Sequence, residues 1–544
     1  MAIKKTHRRA LAFMLTALLV IISACGSSGG GDNNEGGSGN TDNSGKKAVN
    51  IGVTYAPSGI NPLSPVGLVS TYVAGLMFPP LVELDSNLEY QPMLSDSIET
   101  EDNTTFTIKL NENAKWTDGT PVTADDVIFT LKLMSNVKVA SNYAYIFATI
   151  EGLDDAGYLP EGEDEISGVS KVDDHTLTIK TKAPTTLDIF KDTIGRNLMT
   201  LPQAALKDIA PEDINTSDFM QNPTVTSGPY KMVNYNRDHF VEMEANPDYF
   251  KGAPKIEQLN FKVLQGTAVA AQLQSGEIDM NIPSAGVIPI SDYENVKALE
   301  HVTTVDGPPI ATQFMYINEN SVPDAKQRQA ISYAMNREMI VNNLLKGSGE
   351  VVDDFFTSYS PYKDESQQPV AYDPEKAKSL LAESGWDSGK TLTLSVLSGD
   401  ATLEQAANIV AENLNAVGVK VQIQMLDLAT LLDRIVKMEY DLGILTVSLT
   451  PVNPLPDIAY FLSEGNPNAY KNEEVDNLLN SLSAEVDEEK IMDYYSQLQA
   501  ILKEDVPMPS IYATKALGAV NNRVTGATPQ DFGMFINVHE WDVQ

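Results

Sequence analysis

The stretch from Phe106 to Met134 constrains the fold of this chain more than any other part of the sequence. Apolar and polar residues alternate at its start, which predicts a half-buried strand with an inner face of Phe106, Ile108 and Leu110. Turn residues follow, and Thr123 and Asp126 then resemble a capping box, with Asp where Glu or Gln is more usual. Helical spacing continues in Val127, Ile128, Leu131 and Met134. The pattern therefore predicts a strand, a turn and a capped helix.

Bulk composition excludes several classes of function. The chain has 544 residues and a formal net charge of −36, which argues against binding nucleic acid or an anionic membrane surface. Its five histidines do not cluster, and neither an HExxH nor a paired-cysteine motif occurs, so we expect no metal and no cofactor. The chain also lacks a G-x-S-x-G motif, and no histidine lies in a recognisable catalytic setting. We therefore expect that the protein is not an enzyme.

The N-terminus has the pattern of an exported lipoprotein. A basic segment and a short apolar run precede Ser23, Ala24 and Cys25, which resemble a bacterial lipobox. We predict a signal peptide over residues 1–24 and lipidation of Cys25, the one cysteine in the chain. A plain signal peptide with a chance cysteine is the alternative. Residues 26–45 contain no large apolar side chain, so residues 25–47 are predicted to form the lipidated cysteine and a disordered tether.

Several motifs occur together in one order along the chain. Residues 116–127 read W-x-D-G-x-P-V-T-A-D-D-V, and residues 228–230 read G-P-Y. Residues 273–279 follow as L-x-S-G-E-I-D, and residues 328–337 as R-Q-A-I-x-Y-A-M-x-R. Together these motifs resemble those of the family 5 extracellular solute-binding proteins. These are large periplasmic or lipid-anchored receptors of peptide and nickel ABC importers, and the resemblance extends from Val49 to nearly the end of the chain.

The resemblance implies an α/β fold of the periplasmic-binding-protein type II kind, with two lobes and an extra N-terminal subdomain (cluster C-like). It implies a discontinuous first lobe over residues 48–305 and 510–544, with the extra subdomain at about 90–220. The second lobe would cover residues 306–509. The first strand, around Val49, Ile51 and Val53, would lead into a ligand-lining loop, although a plain surface loop is equally compatible with its residues.

The function implied is capture of a peptide or peptide-like ligand between the lobes, followed by delivery to an ABC permease and its ATPase. The protein is expected to be a monomer on the extracytoplasmic face of the cell membrane, held there by its lipid alone. Two alternatives remain open: a receptor for a non-peptide polar solute, such as a sugar or a metal chelate, and a peptide-sensing lipoprotein without import.

One segment departs from the family pattern. Peptide-binding members typically carry a lobe-two aspartate that pairs with the peptide ammonium group, yet residues 442–455 contain no Asp, Glu or Trp. Binding of free-amine peptides is therefore in doubt, while nearby hydroxyl and amide groups suit neutral, hydrogen-bonded ligands. Asp457 either substitutes for the missing acid or caps the following helix, and the cap is favoured. The candidate ligand-binding residues are Tyr55, Ser58, Asn61, Tyr359, Thr446, Ser448, Thr450, Asn453 and Asp457.

Overall fold

A computed structural model describes residues 46–544, so the signal peptide, Cys25 and nearly all of the predicted tether lie outside the described residues. The chain forms two compact units. Unit 1 contains the described residues up to Val305 together with Leu517–Gln544, and unit 2 contains Asp306–Ala516. Among the helices of residues 46–544, none combines the length and the apolar character that a membrane span requires.

The strands, in chain order, are β1 (Ala48–Val53), β2 (Val82–Leu84), β3 (Tyr90–Pro92), β4 (Ser95–Thr100), β5 (Thr105–Leu110), β6 (Val169–Lys171), β7 (Thr176–Lys180), β8 (Tyr230–Asn236), β9 (Phe240–Ala245), β10 (Gln258–Val263), β11 (Met280–Asn281), β12 (Val302–Ile317), β13 (Gly349–Glu350), β14 (Thr391–Leu397), β15 (Lys420–Leu426), β16 (Leu442–Ser448), β17 (Ser510–Asn521), β18 (Val524–Thr525) and β19 (Asp542–Val543).

The α-helices are α1 (Leu68–Met77), α2 (Ala124–Met134), α3 (Leu187–Phe190), α4 (Gln203–Leu206), α5 (Asp218–Gln221), α6 (Gly266–Ser275), α7 (Tyr293–Lys297), α8 (Ala325–Ala334), α9 (Arg337–Met339), α10 (Pro374–Glu383), α11 (Ala401–Ala416), α12 (Leu428–Lys437), α13 (Leu455–Leu462), α14 (Glu473–Ala484) and α15 (Glu488–Asp505). Short 3-10 segments cover Ala144–Phe147, Pro211–Thr216, Ile290–Asp292 and Val538–Glu540, and π-helical turns cover Lys191–Gly195 and Ile340–Leu344.

In unit 1, β1 lies between two parallel neighbours. It pairs with β10 on one side and β11 on the other, and β9 and then β8 continue the sheet in antiparallel fashion beyond β10. Val49, Ile51 and Val53 of β1 are fully buried, which confirms the predicted strand. Because parallel strands point the same way, β1, β10 and β11 end at the same edge of the sheet.

The family motif around Trp116 is built around the carboxylate of Asp126. Asp126 Oδ2 accepts hydrogen bonds from the backbone N–H of Thr123 at 2.9 Å and from the indole Nε1 of Trp116 at 3.4 Å. Its Oδ1 accepts from the backbone N–H of Gln203, which begins α4, at 2.8 Å. The predicted capping box at the start of α2 is therefore confirmed, and the same aspartate joins α2 to a segment 77 residues away. This part of the motif has a structural role.

The G-P-Y motif marks a close approach of two backbones. The N–H groups of Ser227 and Gly228 donate to the carbonyl oxygen of Met77 at 3.1 and 2.8 Å, at the end of α1. A Cβ atom on Gly228 would lie 2.1 Å from the carbonyl oxygen of Leu76, so a side chain at this position would force the two backbones apart.

Unit 2 is built on a mixed sheet in the order β15-β14-β16-β12. The strand β14 is parallel to both β15 and β16, and α11 connects β14 to β15, which confirms the predicted α/β step. The inner face of α11 is buried as its spacing predicted, at Leu403, Ala406, Ala407, Val410 and Leu414. The core contains an aromatic cluster. The centre of the Phe355 ring lies 4.9 Å from that of Phe314 and 6.1 Å from that of Phe461.

The strands β12 and β17 carry the chain between the units. Each contains residues of both units: β12 runs from Val302 to Ile317 across the boundary at 305, and β17 runs from Ser510 to Asn521 across the boundary at 516. The polypeptide of unit 2 is thus inserted between two parts of unit 1.

Candidate functional site

The candidates in β16 lie on the exposed side of that strand. Thr446 and Ser448 are exposed while the residues between and before them are buried, because side chains alternate along a strand. Thr446 stands opposite Gln313 of β12, and its Oγ1 donates to Gln313 Oε1 at 2.9 Å. Gln313 is itself 5 % exposed. Sequence reasoning missed Gln313, because the register of β12 against β16 cannot be derived from either strand alone.

A small concave site lies within unit 2, beside the end of β16. It is lined by Pro309, Ile310, Thr312, Phe355, Thr357, Ser360, Leu449, Pro451 and Pro454. The described residues that line it are apolar or carry a hydroxyl group, and none of them is charged. Such a lining suits an uncharged group that makes apolar contacts and one or two hydrogen bonds.

The remaining unit 2 candidates lie next to this lining in sequence. Thr450 and Asn453 belong to one turn, in which the N–H of Asn453 donates to the carbonyl oxygen of Thr450 at 3.1 Å. Tyr359 adjoins the lining residue Ser360, and the hydroxyl of Tyr362 donates to the carbonyl oxygen of Val452 at 3.1 Å. Residues 357–360 form a hydroxyl-rich run, and Tyr359 is the one member of it among the predicted ligand-binding residues.

The acidic residues at both ends of this segment are integrated into secondary structure. Asp441 accepts hydrogen bonds from the Ser321 hydroxyl and from the backbone N–H of Thr393, which fixes β14 beside β16. Asp457 lies in the first turn of α13, where the helix dipole favours a carboxylate. The prediction that Asp457 caps this helix needs correction, because α13 already begins at Leu455 and its N-cap residue is Pro454.

The unit 1 candidates lie in the loop between β1 and α1. Burial raises the pKa of the Tyr55 hydroxyl to about 12, against the influence of the backbone groups of Leu68 and Val69 at the start of α1, which favour its ionised form. Ser58 Oγ donates to the carbonyl oxygen of Val66 at 2.9 Å, and Asn61 Nδ2 donates to Asn215 Oδ1 at 2.8 Å. The polar atoms of Ser58 and Asn61 thus help to shape the loop, while their contact with a ligand stays a prediction.

Within residues 46–544, no group of three or more His, Cys, Asp or Glu side chains is arranged to hold a metal ion.

Comparison with known proteins gives one consistent result. Residues 89–469 match the family described as "Bacterial extracellular solute-binding proteins, family 5 Middle". The chain is 26% identical to the oligopeptide-binding protein AppA of Bacillus subtilis strain 168 over 517 residues, and this aligned region covers 90% of each chain. It is 26% identical over 486 residues to the periplasmic oligopeptide-binding protein OppA of Salmonella typhimurium, covering 86% of this chain and 87% of that one.

Solved structures agree with the sequence comparison. The crystal structure of the ABC transporter substrate-binding protein CtaP from Listeria monocytogenes superposes with a TM-score of 0.80 at 27% identity, covering 92% of this chain and 99% of that one. The predicted two-lobe α/β fold class is therefore confirmed.

Proposed function

Since the chain belongs to the bacterial extracellular solute-binding proteins of family 5, we propose that it captures a peptide or peptide-like ligand and delivers it to the permease and ATPase of an ABC importer. The family is one of binding proteins and not a class of enzymes, and it acts outside the cytoplasm. Two relatives that match over most of the chain are named as oligopeptide-binding proteins. That agreement is the observation that carries the proposal.

In this proposal the protein binds the ligand without changing any of its covalent bonds. The lining around Phe355 supplies apolar contact, and the hydroxyls of Thr312 and Thr357 supply hydrogen bonds to peptide-like amide groups. Water-mediated contacts would let one site accept side chains of different sizes. Lipidation at Cys25 would hold the protein at the outer face of the cell membrane, as the lipobox pattern predicts.

A second candidate is a receptor for an uncharged polar solute. The observation in its favour is the absence of charged side chains among the described residues that line the concave site of unit 2. A sugar would suit such a lining.

Mass spectrometry of the compounds bound to the purified full-length protein distinguishes these candidates. The protein is extracted from membranes in mild detergent and denatured, and the released compounds are identified. A sample that has been unfolded in urea, dialysed and refolded before the same treatment is the control. We expect peptides in the first sample and none in the second. Recovery of a sugar without peptides would contradict the proposal and support the second candidate.

A further inference from the structure

The polar group that stands out in unit 1 is the carboxylate of Asp531. Asp531 belongs to the segment that follows β17, and it is 7 % exposed. Its Oδ1 accepts a hydrogen bond from the backbone N–H of Ser284 at 2.9 Å. Its Oδ2 is buried and has no hydrogen-bond partner among the described residues. A buried carboxylate oxygen without a donor is uncommon, because burial removes its water without replacing the lost hydrogen bond.

The location of Asp531 is where α/β sheets commonly bind ligands. Ser284 follows β11, and the next residue, Ala285, accepts from the backbone N–H of Thr54 at 2.7 Å, directly after β1. Asp531 therefore lies at the edge where the parallel strands β1 and β11 end. In open sheets with parallel strands, ligands bind outside the carboxyl ends of the strands. The candidate Tyr55 begins the loop at this same edge.

The surroundings of Asp531 in the described part of the chain bind its backbone but provide no cation to pair with its carboxylate. The Tyr72 hydroxyl donates to the backbone carbonyl oxygen of Asp531 at 2.6 Å, and the Tyr72 ring packs edge-on against Phe535 at 5.1 Å. Arg196, which acts electrostatically on Tyr72, is already paired with Asp192 at 2.8 Å and Glu83 at 3.3 Å. Among residues 46–544, Asp531 itself makes no ion pair. Burial accordingly raises the pKa of Asp531.

We propose that Asp531 Oδ2 binds an ammonium group of the ligand. The inference rests on the proposed function and names a chemical group that the ligand carries. It also identifies a carboxylate in unit 1, whereas residues 442–455 of unit 2 contain none. A hydrogen bond from an ammonium group to a desolvated carboxylate is among the stronger polar contacts in proteins, and it would satisfy both the oxygen and its charge. The ammonium can come from a peptide N-terminus or from a lysine side chain.

Asp531→Asn tests this role, since it keeps the size of the side chain and an oxygen for the Ser284 N–H while removing the charge. Asp96→Asn is the matched control, because it removes one negative charge from an exposed residue of unit 1. Both variants and the wild type are titrated calorimetrically with tetra-alanine, N-acetyl-tetra-alanine and N-acetyl-Ala-Ala-Lys-Ala. Thermal unfolding without ligand is measured in parallel.

We expect Asp531→Asn to weaken binding of at least one ammonium-bearing probe by tenfold or more, and to change N-acetyl-tetra-alanine binding by less than twofold. Which of the two ammonium probes is affected identifies the source of the ammonium group. Without ligand, the variant should melt at the same temperature as the wild type or higher, because an uncompensated buried charge has been removed.

Equal affinities of wild type and Asp531→Asn for all three probes would overturn the assignment and leave the proposed function intact. An equal loss for blocked and free peptides would also overturn it, since Asp531 would then only hold the fold. If the wild type binds none of the probes, the proposed function and the assignment both fail.

Discussion

Replacing Asp126 should destabilise unit 1 far more than replacing the acid beside it. Three N–H groups donate to the Asp126 carboxylate: the backbone amides of Thr123 and Gln203 and the indole of Trp116. The side chain is 7 % exposed, so water does not readily replace these bonds. Asp126→Ala leaves all three donors without their acceptor and removes the capping box of α2.

The size of the effect follows from the number of donors. A buried donor that loses its acceptor costs about 1–3 kcal/mol, and a lost N-cap interaction costs about 1 kcal/mol. Water that enters the space left by the carboxylate recovers part of this loss. We therefore expect Asp126→Ala to lower the free energy of unfolding of unit 1 by about 3–5 kcal/mol. Asp126→Asn keeps one acceptor oxygen and puts an NH2 group in place of the other. It should lower the free energy of unfolding by roughly 1–3 kcal/mol.

Asp125→Asn is the control for this experiment. Asp125 is the preceding residue of the same helix, and its carboxylate pairs with Lys171 at 2.7 Å on the surface. Exposed ion pairs of this kind contribute about 0–1 kcal/mol to the free energy of unfolding. The control therefore removes the same charge from the same helix turn without uncovering a buried donor.

Urea unfolding followed by tryptophan fluorescence is a suitable assay. Trp116 and Trp541 belong to unit 1 and Trp386 to unit 2, so Trp386→Phe leaves a signal from unit 1 alone. This matters because two units need not unfold in one transition. A loss below about 1 kcal/mol for Asp126→Ala, or a loss equal to that of Asp125→Asn, would refute the reasoning.

Three further predictions concern other parts of the chain. Burial raises the pKa of Asp354 to about 7, so its contribution to stability is full below about pH 4 and is lost as the pH rises through 7. Asp354→Asn should therefore be the more stable form at pH 8, by up to about 4 kcal/mol, and calorimetry at pH 5 and pH 8 checks this. Gly228→Ala should lower the free energy of unfolding, measured in urea, by about 3 kcal/mol, because the added Cβ atom would clash with the Leu76 carbonyl oxygen. Cys25→Ser should abolish lipid labelling and release the protein from membranes; unchanged membrane retention would contradict the lipobox interpretation.

The elements that sequence reasoning predicted are those whose residues interact locally. The strand β5, the capped helix α2 and the face of α11 follow from residues within a few positions of one another, and each is present as predicted. Pro374 begins α10 for the same reason, with Asp373 accepting the N–H of Lys376 at 2.8 Å. Local periodicity and capping are sufficient to define such elements.

The contacts that sequence reasoning missed join distant segments. Gln313 meets Thr446 across a separation of 133 residues, and Asp531 meets Ser284 across 247. No local pattern encodes such pairs, because strand register and the path of the returning chain depend on the packing of the whole unit. The role of Asp457 was mispredicted because of a smaller error in a helix boundary, since α13 begins at Leu455, three residues earlier than a cap at Asp457 requires.

The insertion of unit 2 within unit 1 affects the order in which the protein can fold during synthesis. Unit 2 is one continuous stretch, so it can be finished as soon as residue 516 has left the ribosome or the export channel. The core of unit 1 needs Met534, Val538 and Trp541 from the far end of the chain, all of them buried. Its earlier residues must therefore wait, partly assembled and with apolar surface uncovered, until the last residues arrive. During this interval the uncovered apolar surface of unit 1 is open to aggregation.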